Sequence, residues 1–347
     1  METAGREADF WKAAEGGAVD CFLCAHRCHV GPGKRGVCQV RENVGGRLVS
    51  LVYGRIITAH ADPIEKKPLF HFLPGSRAYS IATVGCNFQC GFCQNWQISQ
   101  FPPKSGPVPG RSGRGAIPGE PTRPEDVVAE ARRQGCASVS YTYTEPTIFF
   151  EFARDVGRLA REAGLRNSFV TNGYATAEAI DAMAGWLDAA NVDLKAWQDD
   201  FYRRTCKARL EPVKEAIRRM YGAGIWVEVT TLLVTGQNDA PADLEGIAGF
   251  LASVSPDLPW HVSRYHPDYQ MQEPPPTPLA TIERALQIGR AAGLRYVYAG
   301  NVSGMEDTVC PSCGATVIAR AGFGVSALRL DGAACGACGA RVPVVLA

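Results

Sequence analysis

Short apolar runs alternate with amphipathic segments through the middle of the chain. The apolar, β-rich runs are Tyr79–Val84, Ser138–Thr142, Asn167–Thr171, Ala190–Leu194, Trp226–Val234, Trp260–Tyr265 and Tyr296–Ala299. Helical patterns fall between them, at Pro124–Gln134, Pro146–Ala163, Ala175–Ala184, Pro212–Ala223, Pro241–Ser253 and Pro278–Ala292. Such alternation predicts right-handed βαβ units and a parallel sheet. Six or so units would form a partial or full barrel, with the active site at the carboxyl ends of its strands.

The flanking segments have different patterns. Glu7–Glu15 is predicted to be a short helix, and GGRLVSLVYGRIITAH, at positions 45–60, a β-hairpin. The predicted fold class is therefore α/β: a partial (β/α)6 TIM-like barrel over residues 61–305. An N-terminal module with four cysteines and the hairpin occupies residues 1–60, and a C-terminal zinc ribbon occupies residues 306–347. Phe101–Pro124 is rich in Pro, Gly and Arg without periodicity, which favours a surface insertion over a cover for the site.

Composition narrows the class of protein. Hydrophobic residues make up 46% of the chain, which is enough for a sizeable core. The net charge of +1 leaves no electrostatic footprint for nucleic acid or an anionic membrane. The N-terminus lacks an apolar signal region, and no apolar run approaches the length of a membrane span. These features predict a cytoplasmic protein.

Eleven of the 13 cysteines fall into three compact clusters. In a chain without a signal peptide, such spacing indicates metal sites and not disulfides. The two others, Cys136 and Cys206, are interpreted as ordinary thiols without a metal. The C-terminal cluster consists of two C-x2-C-G knuckles, Cys310/Cys313 and Cys335/Cys338, and predicts a closed structural zinc site. Rubredoxin-like iron is the alternative for this site.

The N-terminal cluster contains four cysteines within eighteen residues, Cys21, Cys24, Cys28 and Cys38. A segment this small has too little core to fold alone, so it is expected to depend on a metal. Structural zinc and an auxiliary iron–sulfur cluster both suit four thiolates. The spacing does not decide between them.

The central cluster has three cysteines, Cys86, Cys90 and Cys93, in the loop GCNFQCGFCQNW that follows the first strand of the barrel. Thiolates ligate cubane iron–sulfur clusters, and three ligands for four irons leave one iron open for chemistry. Phe92 offers an aromatic face beside the cluster. A zinc knuckle with a distant fourth cysteine is the alternative.

Polar residues follow several other strands. Glu145 comes just after the second strand and is placed to accept hydrogen bonds from a ligand ammonium group. Asn172 follows the third strand, Asp193 and Lys195 end the fourth, and Arg264 lies in the sixth. Lys66 and Lys67, in the loop before the first strand, are interpreted as solvated surface charges.

Several of these motifs resemble those of a known enzyme superfamily. C-x3-C-x2-C with an aromatic before the third cysteine resembles the signature of the radical S-adenosylmethionine (radical SAM) superfamily. The resemblance implies a [4Fe–4S] cluster whose open iron is chelated by SAM. Its reduction would cleave SAM to a 5′-deoxyadenosyl radical that takes hydrogen from a substrate. YTEPT occupies the place of the superfamily's GGE motif, without the two glycines, so Glu145 would hold the SAM amino group. Asn172, Asp193, Lys195 and Arg264 are candidates for contacts with its ribose and carboxylate.

The TNG and DLK motifs are similar to those of pyruvate formate-lyase activating enzymes. Over nearly the whole chain, the sequence more closely resembles the AmmeMemoRadiSam-system radical SAM enzyme, through the N-terminal C-x2-C-x3-C, DPIEKKPLFHF, CNFQCGFCQNWQISQ, YTYTEPT, TNGY, DLK, WHVSRYHP and YVYAGNV. This resemblance implies flavodoxin or ferredoxin as electron donor, and Memo-like and AMMECR-type proteins as partners. It supplies no substrate. Two other functions stay open, an activase of a glycyl-radical enzyme and a non-catalytic, zinc-stabilised docking protein.

Overall fold

The N-terminal part of the protein is built from short strands in a computed structural model that describes residues 5–101 and 117–347. The strands are β1 (Arg6–Glu7), β2 (Trp11–Ala13), β3 (Val19–Cys21), β4 (His29–Val30), β5 (Arg41–Val44), β6 (Arg47–Ser50) and β7 (Arg55–Ile56). They form two small antiparallel sheets, β1-β6-β5 and β2-β3-β4. Strand β3 carries Cys21 and lies in the middle of its sheet, so this sheet supports the first cysteine cluster.

Two predictions for this region were wrong. No helix forms over Glu7–Glu15, because Trp11–Ala13 pairs with Val19–Cys21 and tertiary pairing overrides helical propensity. A 3-10 turn follows at Glu15–Gly17. The hairpin exists but lies earlier than predicted, since Arg41–Val44 pairs with Arg47–Ser50.

The main sheet has eight strands in the order β16-β15-β14-β13-β12-β11-β9-β8. Its strands are β8 (Thr58–Pro63), β9 (Arg77–Ala82), β11 (Ser138–Tyr141), β12 (Arg166–Thr171), β13 (Ala189–Asp193), β14 (Trp226–Leu233), β15 (Trp260–Arg264) and β16 (Val297–Gly300). Strand β10 (Glu120–Pro121) lies outside this sheet and pairs with β7. Strands β9 to β16 of this sheet run parallel, and β8 pairs antiparallel with β9. The sheet therefore has seven parallel strands, one more than the six-stranded barrel predicted, because β16 adds to the ladder after β15.

Helices follow the strands as the alternation predicts. They are α1 (Trp96–Ser99), α2 (Pro124–Arg133), α3 (Phe150–Glu162), α4 (Ala177–Met183), α5 (Asp199–Phe201), α6 (Leu210–Gly222), α7 (Pro241–Val254) and α8 (Leu279–Ala291). A 3-10 turn, Pro146–Phe149, precedes α3, and a π-helical turn, Tyr202–Cys206, follows α5. The apolar side of α3 is buried, including Phe152, Val156 and Ala160, so the helices cover a sheet whose strands are themselves almost wholly buried. The predicted α/β architecture is confirmed.

The C-terminal part is a small β unit with strands β17 (Thr308–Val309), β18 (Thr316–Ala321), β19 (Gly324–Leu328), β20 (Leu330–Asp331) and β21 (Ala334–Cys335). Buried Arg320 fastens it to the barrel, since its Nη2 donates to the Phe70 carbonyl at 2.6 Å. The proposed division at residues 60/61 and 305/306 stays a prediction; the first boundary falls inside β8. Within the described ranges, no helix is both long and apolar enough to cross a membrane. The segment Phe101–Pro124 lies largely outside the described residues.

Candidate functional site

The loops after four neighbouring strands of the main sheet line one cavity of about 450 Å³. Its lining includes most of the candidate residues, namely Cys86, Cys90, Phe92, Cys93, Glu145, Asn172, Asp193 and Lys195. They come together because parallel strands place their carboxyl ends at one edge of the sheet. The structure thus brings residues more than 100 positions apart into a single site, as the sequence predicted.

Hydrogen-bond donors point at the sulfurs of the cysteine loop. The backbone N–H of Phe88 donates to Cys86 Sγ at 3.3 Å, and Asn172 Nδ2 lies 3.8 Å from the same sulfur. The Ser99 hydroxyl lies 3.1 Å from Cys93 Sγ. Donors of this kind stabilise thiolates and tune the metal clusters that they bind. The environment of the loop therefore fits three metal-ligating thiolates.

Cys206 is a functional neighbour that the sequence interpretation missed. It is fully buried and its thiol hydrogen-bonds Cys90, which, with the charge of Lys195, holds the pKa of Cys90 below the ordinary value against the effect of burial. The backbone joins the same two segments, since Gln89 N–H donates to the Cys206 carbonyl at 3.0 Å. Cys206 ends the π-helical turn, an irregularity often found at functional sites. No motif in the sequence links it to the cysteine loop.

Glu145 is buried at the end of β11 with both carboxylate oxygens engaged. Oε1 accepts from Thr147 N–H at 3.0 Å and from the Thr171 hydroxyl at 2.7 Å, and Oε2 accepts from Asn172 N–H at 2.8 Å. Burial raises the pKa of Glu145, and these donors lower it in part. A carboxylate has about four acceptor positions, so Oε2 keeps one for a ligand.

Asp193 and Lys195 form an ion pair at the end of β13, with Lys195 Nζ 2.8 Å from Asp193 Oδ2. The ammonium also lies 5.8 Å from the ring centroid of Phe92, within the range of a cation–π contact. Phe92 in turn stacks on Phe201, with ring centroids 6.0 Å apart. These contacts fix the aromatic residue beside the third cysteine.

Arg264 does not line this cavity. Its Nε donates to the Thr277 carbonyl at 2.7 Å, and the side chain lines an adjacent cavity with Gln94 and His266. The reason is its position as the last residue of β15, where its side chain is exposed. The structure therefore separates Arg264 from the other candidates for contacts with the ligand.

The same cavity is also lined by Lys67, Tyr143 and Phe323. The interpretation of Lys67 as a surface charge was wrong: only 1% of its side chain is exposed, and Nζ lies 2.6 Å from Asp62 Oδ2. Burial lowers the pKa of Lys67 to about 8, although the Asp62 carboxylate opposes this shift. Phe323 belongs to the turn between β18 and β19, so the C-terminal unit reaches the mouth of the cavity.

The C-terminal cysteines form a separate site. Their four sulfurs lie within 4.8 Å of one another, with Cys310 to Cys338 and Cys313 to Cys335 both at 3.8 Å. Two of the four are buried and two exposed. This arrangement can hold one metal ion.

Two comparisons with known proteins concern the sequence of the chain. The family model described as Radical SAM superfamily matches residues 80–251. An uncharacterized protein of Methanocaldococcus jannaschii is 43% identical over 346 residues, which cover 98% of this chain and 100% of that protein.

Two solved structures resemble the chain more distantly. The first is a domain of pyruvate-formate lyase-activating enzyme from Bacteroides vulgatus, at 21% identity and a TM-score of 0.42, covering 48% of this chain and 99% of that one. The second is a radical SAM methyltransferase from Sphaerobacter thermophilus, at 21% identity and a TM-score of 0.48, covering 68% of this chain and 70% of that one.

Proposed function

We propose that this chain, which belongs to the radical SAM superfamily, is an enzyme that binds a [4Fe–4S] cluster at Cys86, Cys90 and Cys93 and SAM in the cavity that these cysteines line. The observation that carries the proposal is that all three thiols line the same cavity as Glu145 and Asn172. When bound, the cluster would supply the electron for reductive cleavage of SAM, and the radical chemistry that follows would remove hydrogen from the substrate.

The residues present fit the cluster. Three cysteines of one loop lie at the carboxyl edge of the sheet, and N–H and O–H groups already point at two of their sulfurs. With three protein ligands for four irons, one iron is left for SAM. The ion pair of Asp193 and Lys195 and the ring of Phe92 line the same cavity and are positioned to contact polar groups of SAM.

Glu145 has the role of binding the SAM ammonium group. Four hydrogen bonds from Thr147, Thr171 and Asn172 hold its carboxylate in one orientation. The remaining acceptor position on Oε2 is free for an ammonium donor. The preorganised carboxylate would thus orient SAM without reorganisation on binding.

Lys67, Tyr143 and Phe323 would contact the substrate, because they line the same cavity as the cysteines. They come from the loop before β9, the loop after β11 and the C-terminal unit. A flavodoxin or ferredoxin would deliver the electron.

For the C-terminal site we propose zinc, because tetrahedral zinc with Zn–S bonds of about 2.3 Å places its sulfurs about 3.8 Å apart.

The catalytic proposal is tested by replacing all three loop cysteines with serine. The reconstituted and chemically reduced wild-type protein should convert SAM to 5′-deoxyadenosine and methionine, whereas C86S/C90S/C93S should form neither. Cys136→Ser, which changes a cysteine outside the three clusters, is the matched control and should retain the activity. Cleavage of SAM by the triple variant would refute the mechanism.

Glu145→Gln tests the site of the SAM ammonium. Loss of a hydrogen bond to a charged group costs about 1.5–3 kcal/mol, which corresponds to a Kd raised about 10- to 150-fold. The measurement is isothermal titration of SAM into the anaerobic protein, with Glu130→Gln as control, because Glu130 lies on α2 and does not line the cavity. An unchanged Kd for Glu145→Gln would remove Glu145 from the binding site.

A further inference from the structure

We propose that Cys21, Cys24, Cys28 and Cys38 hold a second iron–sulfur cluster of the four-iron class, and not structural zinc. The proposal concerns a site apart from the catalytic cavity, and it stands whether or not SAM is cleaved. It starts from the space that these four cysteines enclose.

The four cysteines line one small cavity. Its volume is about 20 Å³, and its other walls are mostly apolar: Leu23, Val30, Val37, Leu48 and Ile148. A space of this size admits about one water-sized sphere. A site with only one hydrogen-bonding side chain in its lining, Arg41, offers a water few partners, so a polar solvent molecule is a poor occupant.

A single zinc ion is too small for this space. Zinc lies only about 2.3 Å from each sulfur, so a water-sized sphere at the centre of four zinc-bound sulfurs would overlap them. The C-terminal cysteines of the same protein have the spacing expected for a single metal ion, with two pairs of sulfurs 3.8 Å apart. Among the described residues, the C-terminal cysteines are the one set of three or more possible metal ligands whose ligand atoms all lie within 4.8 Å of one another. The sulfurs of the N-terminal cysteines therefore lie farther apart. The wider N-terminal set suits a cluster in which each thiolate binds a different iron.

A buried arginine stabilises thiolates at this site. Arg41 Nη1 lies 3.7 Å from Cys21 Sγ, and only 2% of the arginine is exposed. Glu151 pairs with Arg41 and holds it in place. Four protein thiolates complete the ligand set, so a cluster here has no open iron and cannot bind SAM or substrate.

The site lies directly against the catalytic loop. A methyl group added at Gly85, the residue before Cys86, would lie 3.0 Å from the Cys38 carbonyl. The His26 ring nitrogen Nε2 lies 2.7 Å from the carbonyl of Asn87, the residue after Cys86. The segment that carries the N-terminal cysteines therefore contacts the catalytic loop on both sides of Cys86. A closed cluster at this position is suited to pass an electron from a donor of the flavodoxin or ferredoxin class to the catalytic cluster.

The test uses a variant in which the N-terminal site is the remaining site for iron. C86S/C90S/C93S is purified anaerobically, reconstituted with iron and sulfide, and analysed for iron, sulfide and zinc. We expect about four irons and about one zinc per chain, with the visible absorption and reduced paramagnetic signal of a four-iron cluster. Two zincs without iron would overturn the proposal, and so would about two irons, which indicate a two-iron cluster.

A second variant locates the cluster. C24S/C28S on the triple-variant background should lose the remaining iron and keep the zinc, whereas Cys136→Ser on the same background should lose neither. Retention of iron in C24S/C28S would place the metal elsewhere. Failure of the catalytic proposal gives a different result: the wild-type protein would then contain no more iron than the triple variant.

Discussion

Gly85→Ala is expected to destabilise the protein more than a glycine substitution that introduces backbone strain alone. Gly85 has φ +96°, a conformation that costs an L-residue about 1–2 kcal/mol. The added methyl would also lie 2.7 Å from Val40 Cγ1 and 3.0 Å from the Cys38 carbonyl. Overpacking a buried contact of this kind adds about 1–3 kcal/mol. The expected loss in the free energy of unfolding is therefore about 2–5 kcal/mol.

Gly164→Ala is the matched control. Gly164 has φ +79°, and a methyl group added there would meet nothing within 4 Å. Its substitution should cost the strain alone, about 1–2 kcal/mol. The difference between the two variants therefore measures the contact between the cysteine loop and the N-terminal module.

The assay is anaerobic scanning calorimetry on samples of matched metal content. At about 2 °C per kcal/mol for a chain of this size, Gly85→Ala should melt about 2–6 °C below Gly164→Ala. Equal melting temperatures for the two variants would refute the packing of Cys38 against the loop.

Two further predictions concern the surroundings of the metal sites. Arg41→Met leaves the buried Glu151 carboxylate without its partner and should cost about 3–5 kcal/mol, whereas R41M/E151M should recover most of the loss, as measured by thermal melting; equal losses would contradict the buried ion pair. Cys206→Ala removes a hydrogen bond to Cys90 and should make the reduction potential of the catalytic cluster more negative, without loss of iron. Redox titration checks this shift, with Cys136→Ala as control, and an unchanged potential for Cys206→Ala would contradict the hydrogen bond.

The sheet and its helices were predictable because each apolar run is long enough to form a buried parallel strand. Trp226–Val234 was predicted and Trp226–Leu233 is observed, and the other parallel strands agree as well. The short N-terminal strands were missed, since Trp11–Ala13 has no apolar pattern of its own and depends on pairing with Val19–Cys21. The seventh parallel strand, Val297–Gly300, was among the predicted strands but exceeds the six units assumed for the barrel.

The candidate site was predictable where its residues end strands. Asn172 directly follows β12 and Glu145 lies in the loop after β11, so the parallel sheet brings them together. Cys206 and Lys67 were misjudged because their burial depends on how loops fold over the sheet, which periodicity does not encode. Phe323 was missed for the same reason, since it reaches the cavity from the C-terminal unit.

The most direct test of the account is the electron paramagnetic resonance spectrum of the anaerobically reduced protein, recorded with and without SAM. If SAM binds the open iron beside Cys86, Cys90 and Cys93, it should change the signal of the reduced cluster in the wild-type protein. In C86S/C90S/C93S, SAM should leave the spectrum unchanged. A wild-type signal that does not respond to saturating SAM would contradict the assignment of this cavity as a radical SAM site.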